Sequence, residues 1–86
     1  MRVVKEFSVQ GCKVTLYQWN NRYIIKLEQA YLEQTFKVDE FEFENEDAVL
    51  GLLDEVFVQE AIDRFDTMAR SLHEALHRAN EQDGIG

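Results

Sequence analysis

Residues 12–29 read CKVTLYQWNNRYIIKLEQ, two eight-residue runs separated by Asn20-Asn21. Both runs are rich in β-branched and aromatic residues and largely alternate apolar with polar side chains, which is typical of β-strands. Asparagine tolerates the positive φ that a two-residue hairpin turn requires. The stretch therefore predicts a β-hairpin.

Similar runs lie on either side of this hairpin. Val3–Val9 precedes it with Gln10-Gly11 in between, and Tyr31–Val38 follows after a turn near Gln29-Ala30. Connections this short leave no room for crossovers, so the four strands should form an antiparallel meander. The third turn lacks the glycine or asparagine of the first two.

Two details of the predicted sheet stay open. Lys5 alternates in step with Phe7 and Val9, so the inward face of the first strand is ambiguous. Phe41 and Phe43 continue the alternation of the fourth strand and indicate that it extends further along the chain.

The second half of the chain has a helical pattern. Asn45 is a good N-cap, and the 34 residues that follow, 46–79, contain no proline. Apolar residues recur with helical spacing, and from Val58 onward they follow each other at intervals of four and three, as in a coiled-coil seam. We predict a dimer seam from this spacing, formed by Val58, Ile62, Phe65, Ala69, Leu72 and Leu76.

The predicted helix is too long for the predicted sheet. A continuous helix over 46–80 would measure about 52 Å, whereas an eight-residue strand reaches about 27 Å. Either the helix breaks near 54–58 and folds back, or its distal half leaves the sheet and packs on a second chain. The first alternative is slightly favoured, because Val56–Val58 is apolar on all sides, as a buried corner would be.

These observations predict one α+β domain over residues 1–86. A four-stranded antiparallel meander (1–43) is followed by a C-terminal helix or helix pair (45–80), packed on one sheet face, and by a polar tail (81–86). An 86-residue chain has a thin core, so a partner would add to its stability.

Composition limits the function classes. The net charge is −8, with six basic and four acidic residues in 1–39 but three and thirteen in 40–86. No apolar run approaches the roughly 18 residues of a membrane span, and the N-terminus does not look like a signal peptide. A lone Cys12 cannot form an intramolecular disulfide, so we expect a cytoplasmic protein that does not contact membranes.

The polar face of the sheet is a candidate interaction face. Basic and aromatic side chains alternate on it, as on surfaces where bases stack. The residues are Lys13, Tyr17, Trp19, Arg22, Lys26 and Lys37. Four strands followed by a helix resemble the topology of Whirly-type single-strand-binding proteins. The acidic balance argues against nucleic acid, which is bound by displacing counterions with many cations.

Residues 73–77 read HEALH. The pattern resembles the H-E-x-x-H motif of zinc proteases, and Asp83 lies where metzincins have a third ligand. The resemblance implies a zinc hydrolase with His73 and His77 as ligands and Glu74 as general base. Binding of zinc or nickel by the histidine pair without catalysis is the simpler alternative.

Taken together, the sequence favours a non-enzymatic, cofactor-free interaction or adaptor module that acts as a homodimer. Binding of single-stranded nucleic acid on the sheet face is the alternative, and zinc hydrolysis at the HEALH motif is the third hypothesis.

Overall fold

The fold agrees with the predicted α+β class. A computed structural model describes the backbone of residues 1–85 and the side chains of residues 1–81. Four antiparallel strands pair in the order β1-β2-β3-β4. The elements are β1 (Arg2–Val9), β2 (Cys12–Trp19), β3 (Arg22–Gln29), β4 (Leu32–Asp39), a short 3-10 helix (Glu40–Glu42), α1 (Glu46–Leu50) and α2 (Glu55–Ile85).

Each hairpin turn places residues at positive φ. Gln10 and Gly11 have φ values of 49° and 79°, and Asn20 and Asn21 have 55° and 62°. Such values match the right-handed twist of the strands that the turns connect. The third turn lies one residue later than predicted, at Ala30-Tyr31, and Ala30 adopts φ 54°. Tertiary pairing of β3 with β4 therefore imposes a conformation that alanine does not favour.

A β-bulge removes the ambiguity of the first strand. The register shifts between Val3, which pairs with Tyr17, and Lys5, which pairs with Leu16. The extra residue, Val4, packs against the core, while Lys5 stays exposed at the edge of the sheet. A bulge thus lets Phe7 face inward without burying the lysine.

The fourth strand does not extend to Phe43, contrary to the expectation from alternation. Asp39 ends the strand, because its Oδ1 accepts a hydrogen bond from the Phe41 backbone N–H at 2.9 Å and caps the 3-10 helix. Phe41 is exposed as a result, whereas Phe43 packs against the core.

The helical half is broken at residues 51–54, at the N-terminal edge of the predicted region 54–58. Asn45 caps α1 as predicted, with its Oδ1 accepting from the Ala48 N–H at 2.9 Å. Residues 51–54 interrupt the helix, and Asp54 Oδ1 accepts from the Phe57 N–H at 2.8 Å at the start of α2. The apolar run Val56–Val58 is therefore the first turn of α2 rather than a buried corner.

The core lies between one face of the sheet and the helices. Residues from β2, β3, α1 and α2 are almost fully buried there, and Phe7, Phe36, Phe43 and Met68 pack around them. The buried set is Cys12, Val14, Leu16, Tyr23, Ile25, Leu27, Val49, Ala61 and Phe65.

A polar contact fixes α2 on the edge strand β4. Gln34 is buried on the inner face; its Nε2 donates to the Ala61 carbonyl at 2.8 Å, and its Oε1 accepts from Arg64 Nε at 2.9 Å. Beside it, Phe36 and Phe57 meet edge to face at 5.2 Å between ring centroids. The Arg64 guanidinium lies 5.9 Å from the centroid of each ring.

The second helix extends past the sheet. Its 31 residues span about 46 Å, and the longest axis of the molecule measures 57 Å. The helical half therefore breaks, as the first alternative requires, and its distal part also leaves the sheet, as the second requires. Its C-terminal bound, Ile85, lies beyond the predicted end at residue 80, since Asn80 lowers helix stability by less than about 1 kcal/mol. Among the described residues, no helix is long and apolar enough to cross a membrane.

Candidate functional site

The distal part of α2 carries an apolar stripe that the sheet does not cover. We define the α2 tail as residues 69–81. At 3.6 residues per turn, Leu72 and Leu76 lie within about 20° of Phe65 around the helix axis. Phe65 is 1% exposed, whereas Leu72 is 41% and Leu76 54% exposed. The face that binds the sheet thus continues into solvent for about two further turns, from Leu72 to Ala79.

The predicted seam is divided between these two environments. Val58 and Phe65 are buried in the core, Ile62 and Ala69 are half-buried, and only the last two seam residues are exposed. A seam running through all six residues is therefore not open to a second chain. The available part is the α2 tail.

On one side of the exposed leucines the neighbouring side chains are small and uncharged. Ala75, half-buried, and Ala79, exposed, lie beside them on the stripe, while Arg70, Glu74 and Arg78 project from the other side of the helix. Small residues let another helix approach closely, and the absence of charge next to the leucines imposes no repulsion on an identical partner. The tail has the chemistry of a helix-packing surface.

The outer sheet face brings the second predicted set together. Tyr17, Trp19, Lys13, Arg22, Lys26 and Lys37 all project from the side opposite the helices, on three neighbouring strands. Trp19 is 52% exposed. Ile24 is buried on this face although no helix covers it, because long side chains such as those of Tyr17 and Lys37 flank it across the strands.

Acidic residues neutralise this face. Lys13 Nζ lies 3.3 Å from Glu6, and Lys26 Nζ lies 3.6 Å from Glu28 and 3.9 Å from Glu33. Glu28 beside Lys26 raises the pKa of its ammonium group, and Glu33 adds to this effect. Arg22 pairs in register with Asp39. The outer face thus carries four basic and four acidic residues, so it lacks the excess of cations that a phosphate backbone requires.

The histidine motif lies on a solvent-exposed side of the α2 tail. His73 and His77 are both exposed and one turn apart, and His77 Nε2 lies 3.1 Å from Glu81 Oε1. Among the residues whose side chains the structure describes, no three His, Cys, Asp or Glu side chains are grouped so that they could hold a metal ion. Asp83, the third position in the zinc-protease resemblance, lies outside those residues. The open concavity at the motif is lined, within residues 1–81, by residues of α2 alone, among them His73 and His77.

The only cysteine is in a different environment. Cys12 is fully buried in the core, and desolvation raises the pKa of its thiol. A thiol of this kind reacts poorly, since the thiolate is the nucleophile. Its position supports a packing role.

Sequence reasoning missed the residues that aim the α2 tail. Gln34 and Arg64 hold α2 on β4, and thereby set the direction in which the helix leaves the sheet. One signal was available for Gln34: it occupies an inward-facing position between Leu32 and Phe36, and a polar residue there needs a buried partner. Arg64 carried no such signal.

Comparison with known proteins adds no identification. No protein-family model, no curated protein and no solved structure matches the chain.

Proposed function

We propose that this protein is a small, non-enzymatic interaction module that self-associates through the α2 tail and acts as a homodimeric adaptor. The observation that carries the proposal is the exposure of Leu72 and Leu76 on the same stripe by which α2 binds its own sheet. The core is thin, and the apolar stripe extends along α2 beyond the sheet. Binding of a partner is the usual explanation for both features.

The strength of this association follows from the leucines. Because each is already about half covered, complete burial contributes about 1 kcal/mol per side chain. The alanines of the stripe add less. The four leucines of two copies therefore contribute a few kcal/mol to the free energy of association. A contribution of this size favours a weak dimer that forms only at higher protein concentration. Such a dimer leaves both sheets free for other partners.

The test compares two double variants of equal charge. Leu72→Asp/Leu76→Asp places carboxylates on the stripe, and Thr67→Asp/Ser71→Asp places the same number on the opposite side of the same helix. We expect sedimentation velocity to give only single chains for the first variant and the wild-type distribution for the control. Equal masses for wild type and both variants would contradict the proposal.

Binding of single-stranded nucleic acid on the outer sheet face stays the alternative proposal. The exposed Trp19 supports it, and the paired charges of that face weigh against it. Zinc hydrolysis at the HEALH motif has less support, because in the described part of the chain only residues of the exposed helix α2 line the concavity at the motif.

A further inference from the structure

The inner face of β4 meets α2 around one cation, Arg64. Its Nε donates to the buried Gln34 side chain at 2.9 Å, and its guanidinium lies 5.9 Å from the ring centroids of Phe36 and Phe57. Arg64 is exposed, and among residues 1–81 no carboxylate pairs with it. The guanidinium is therefore held in place with its terminal N–H groups open to an anion.

An apolar hollow lies beside this cation. It has a volume of about 270 Å³, and its lining is apolar throughout: Ile25, Phe36, Val38, Leu52 and Phe57. Two of these residues are the rings on which Arg64 lies, so the cation is at the edge of the hollow. Pockets that enclose a whole small-molecule ligand measure roughly 300–1,000 Å³. The hollow therefore fits one apolar side chain of a larger partner better than a free ligand.

A partner can reach the hollow along β4, because β4 is an edge strand. Within residues 1–85 the sheet ends there, so the side of β4 that faces away from β3 is a template for another strand. The opposite edge differs, since the bulge at Val4 and the exposed Lys5 interrupt β1. β4 pairs with β3 over its eight residues without such a shift. An extended segment that pairs with β4 would continue the sheet.

The spacing of residues along β4 sets the sequence of such a segment. Gln34 holds Arg64. Phe36 and Val38 line the hollow, and all three β4 residues lie on the inner face at intervals of two. Side chains two residues apart on an added strand also share a face and lie about 7 Å apart. A segment that places an apolar side chain in the hollow thus places the side chain two residues away beside Arg64.

We propose that the groove between β4 and α2 binds an extended segment of another protein, in which a large apolar residue enters the hollow and a carboxylate two residues away pairs with Arg64. A carboxylate matches the guanidinium fork, whereas a basic side chain at this position is repelled by it. The inference rests on the proposed interaction module and names the chemistry of its partner. The groove lies outside the α2 tail, so each copy of the dimer carries one.

The test uses two capped pentapeptides, Glu-Thr-Phe-Thr-Glu and Gln-Thr-Phe-Thr-Gln, which differ only in charge. Their symmetric sequences suit either strand direction. Binding is followed through the backbone amide signals of isotope-labelled protein in NMR titrations. We expect the acidic peptide to shift the signals of Phe36, Val38 and Leu52. It should bind about fivefold more tightly than the neutral peptide, as one partly exposed charge pair allows.

Two matched pairs of variants test the cation and the hollow. Arg64→Gln should remove the preference for the acidic peptide, whereas Arg70→Gln removes the same charge from an exposed position of α2 and should keep it. Leu52→Glu places a carboxylate at the hollow and should weaken the binding of both peptides at least about fivefold. Val56→Glu adds the same charge at a residue that is 66% exposed and does not line the hollow, so affinities should stay within about twofold of wild type.

The outcomes are kept apart from those of the proposed dimer, because the titrations are repeated with Leu72→Asp/Leu76→Asp. Peptide binding that persists in this variant and depends on Arg64 supports the groove, whether or not the wild type dimerises. If neither peptide shifts the signals of the hollow, or if both bind the wild type equally, the groove is overturned and the dimer stands. Signals of the hollow that shift with protein concentration alone in this variant would make a second copy the occupant, which also overturns the proposal.

Discussion

Phe65 and Leu72 lie on the same stripe of α2, seven residues apart, yet one is 1% and the other 41% exposed. Seven residues make almost two complete turns, so the two side chains point in nearly the same direction. What differs is the surface that faces them: the sheet covers Phe65 and ends before Leu72. The contrast separates a residue that holds the fold together from one that is free to contact another chain.

Aspartate at these two positions should have different consequences for folding. Phe65→Asp buries a charge in the core and should cost more than about 4 kcal/mol, enough to unfold a domain of this size. Leu72→Asp should change the free energy of unfolding by about 1 kcal/mol or less. Circular dichroism during urea unfolding measures both. If Phe65→Asp stays folded, Phe65 is not part of the core. Because Leu72→Asp should leave the fold intact, it can report on self-association without the effect of unfolding.

The contact between Gln34 and α2 should be measurable as stability. Gln34→Ala removes two hydrogen bonds between β4 and α2, the donor to the Ala61 carbonyl and the acceptor for Arg64, which should cost about 1–3 kcal/mol. Gln59→Ala is the matched control, because Gln59 is exposed and its side chain donates to Asp63 on its own helix. We expect the control to stay within about 0.5 kcal/mol of wild type. Equal losses of stability for the two variants would contradict a stabilising contact between Gln34 and α2.

Replacing Ala30 with glycine should make the folded protein more stable. Its φ of 54° lies in the left-handed region, which costs an alanine about 1 kcal/mol relative to glycine. Ala30→Gly should therefore raise the free energy of unfolding, although the more flexible unfolded chain offsets part of the gain. Ala48→Gly, in the helix α1, should lower it by about 1 kcal/mol. If both glycines destabilise the protein, the third turn does not have the conformation described.

The sequence made the sheet predictable because its signals are local. Alternation and turn residues act over two to eight positions, so the strands, the first two hairpins and the Asn45 cap were predicted in place. The third turn moved by one residue, since Ala30 carries no turn signal. The end of β4 was wrong, because the Asp39 side chain captures the Phe41 N–H and overrides the alternation of Phe41 and Phe43.

The candidate site was only partly predictable. Helical spacing placed Leu72, Leu76 and the histidine pair correctly on one continuous helix. It could not divide the seam, because whether Val58 and Phe65 face a sheet or a second chain depends on where the sheet ends. It also could not pair the cations of the sheet face with Glu6 and Glu33, which come from other strands.

The outer sheet face should not bind single-stranded nucleic acid. Two of its four cations, Lys13 and Lys26, are paired with carboxylates, so a phosphate backbone gains little counterion release there. We expect the fluorescence of Trp19, the only tryptophan, to be unchanged by single-stranded oligonucleotides at low salt. Quenching that disappears as salt is added would favour the nucleic-acid proposal. In that case Lys37→Glu would have to weaken the binding of the oligonucleotide.

The central claim is that the α2 tail joins two copies of this chain, and the mass of the wild-type protein in solution tests it most directly. Light scattering behind size exclusion, run over a wide range of loading concentrations in EDTA, would report it. We predict a mass that rises with concentration from that of one chain towards twice that value. A mass of one chain at every concentration, up to the limit of solubility, would contradict the claim.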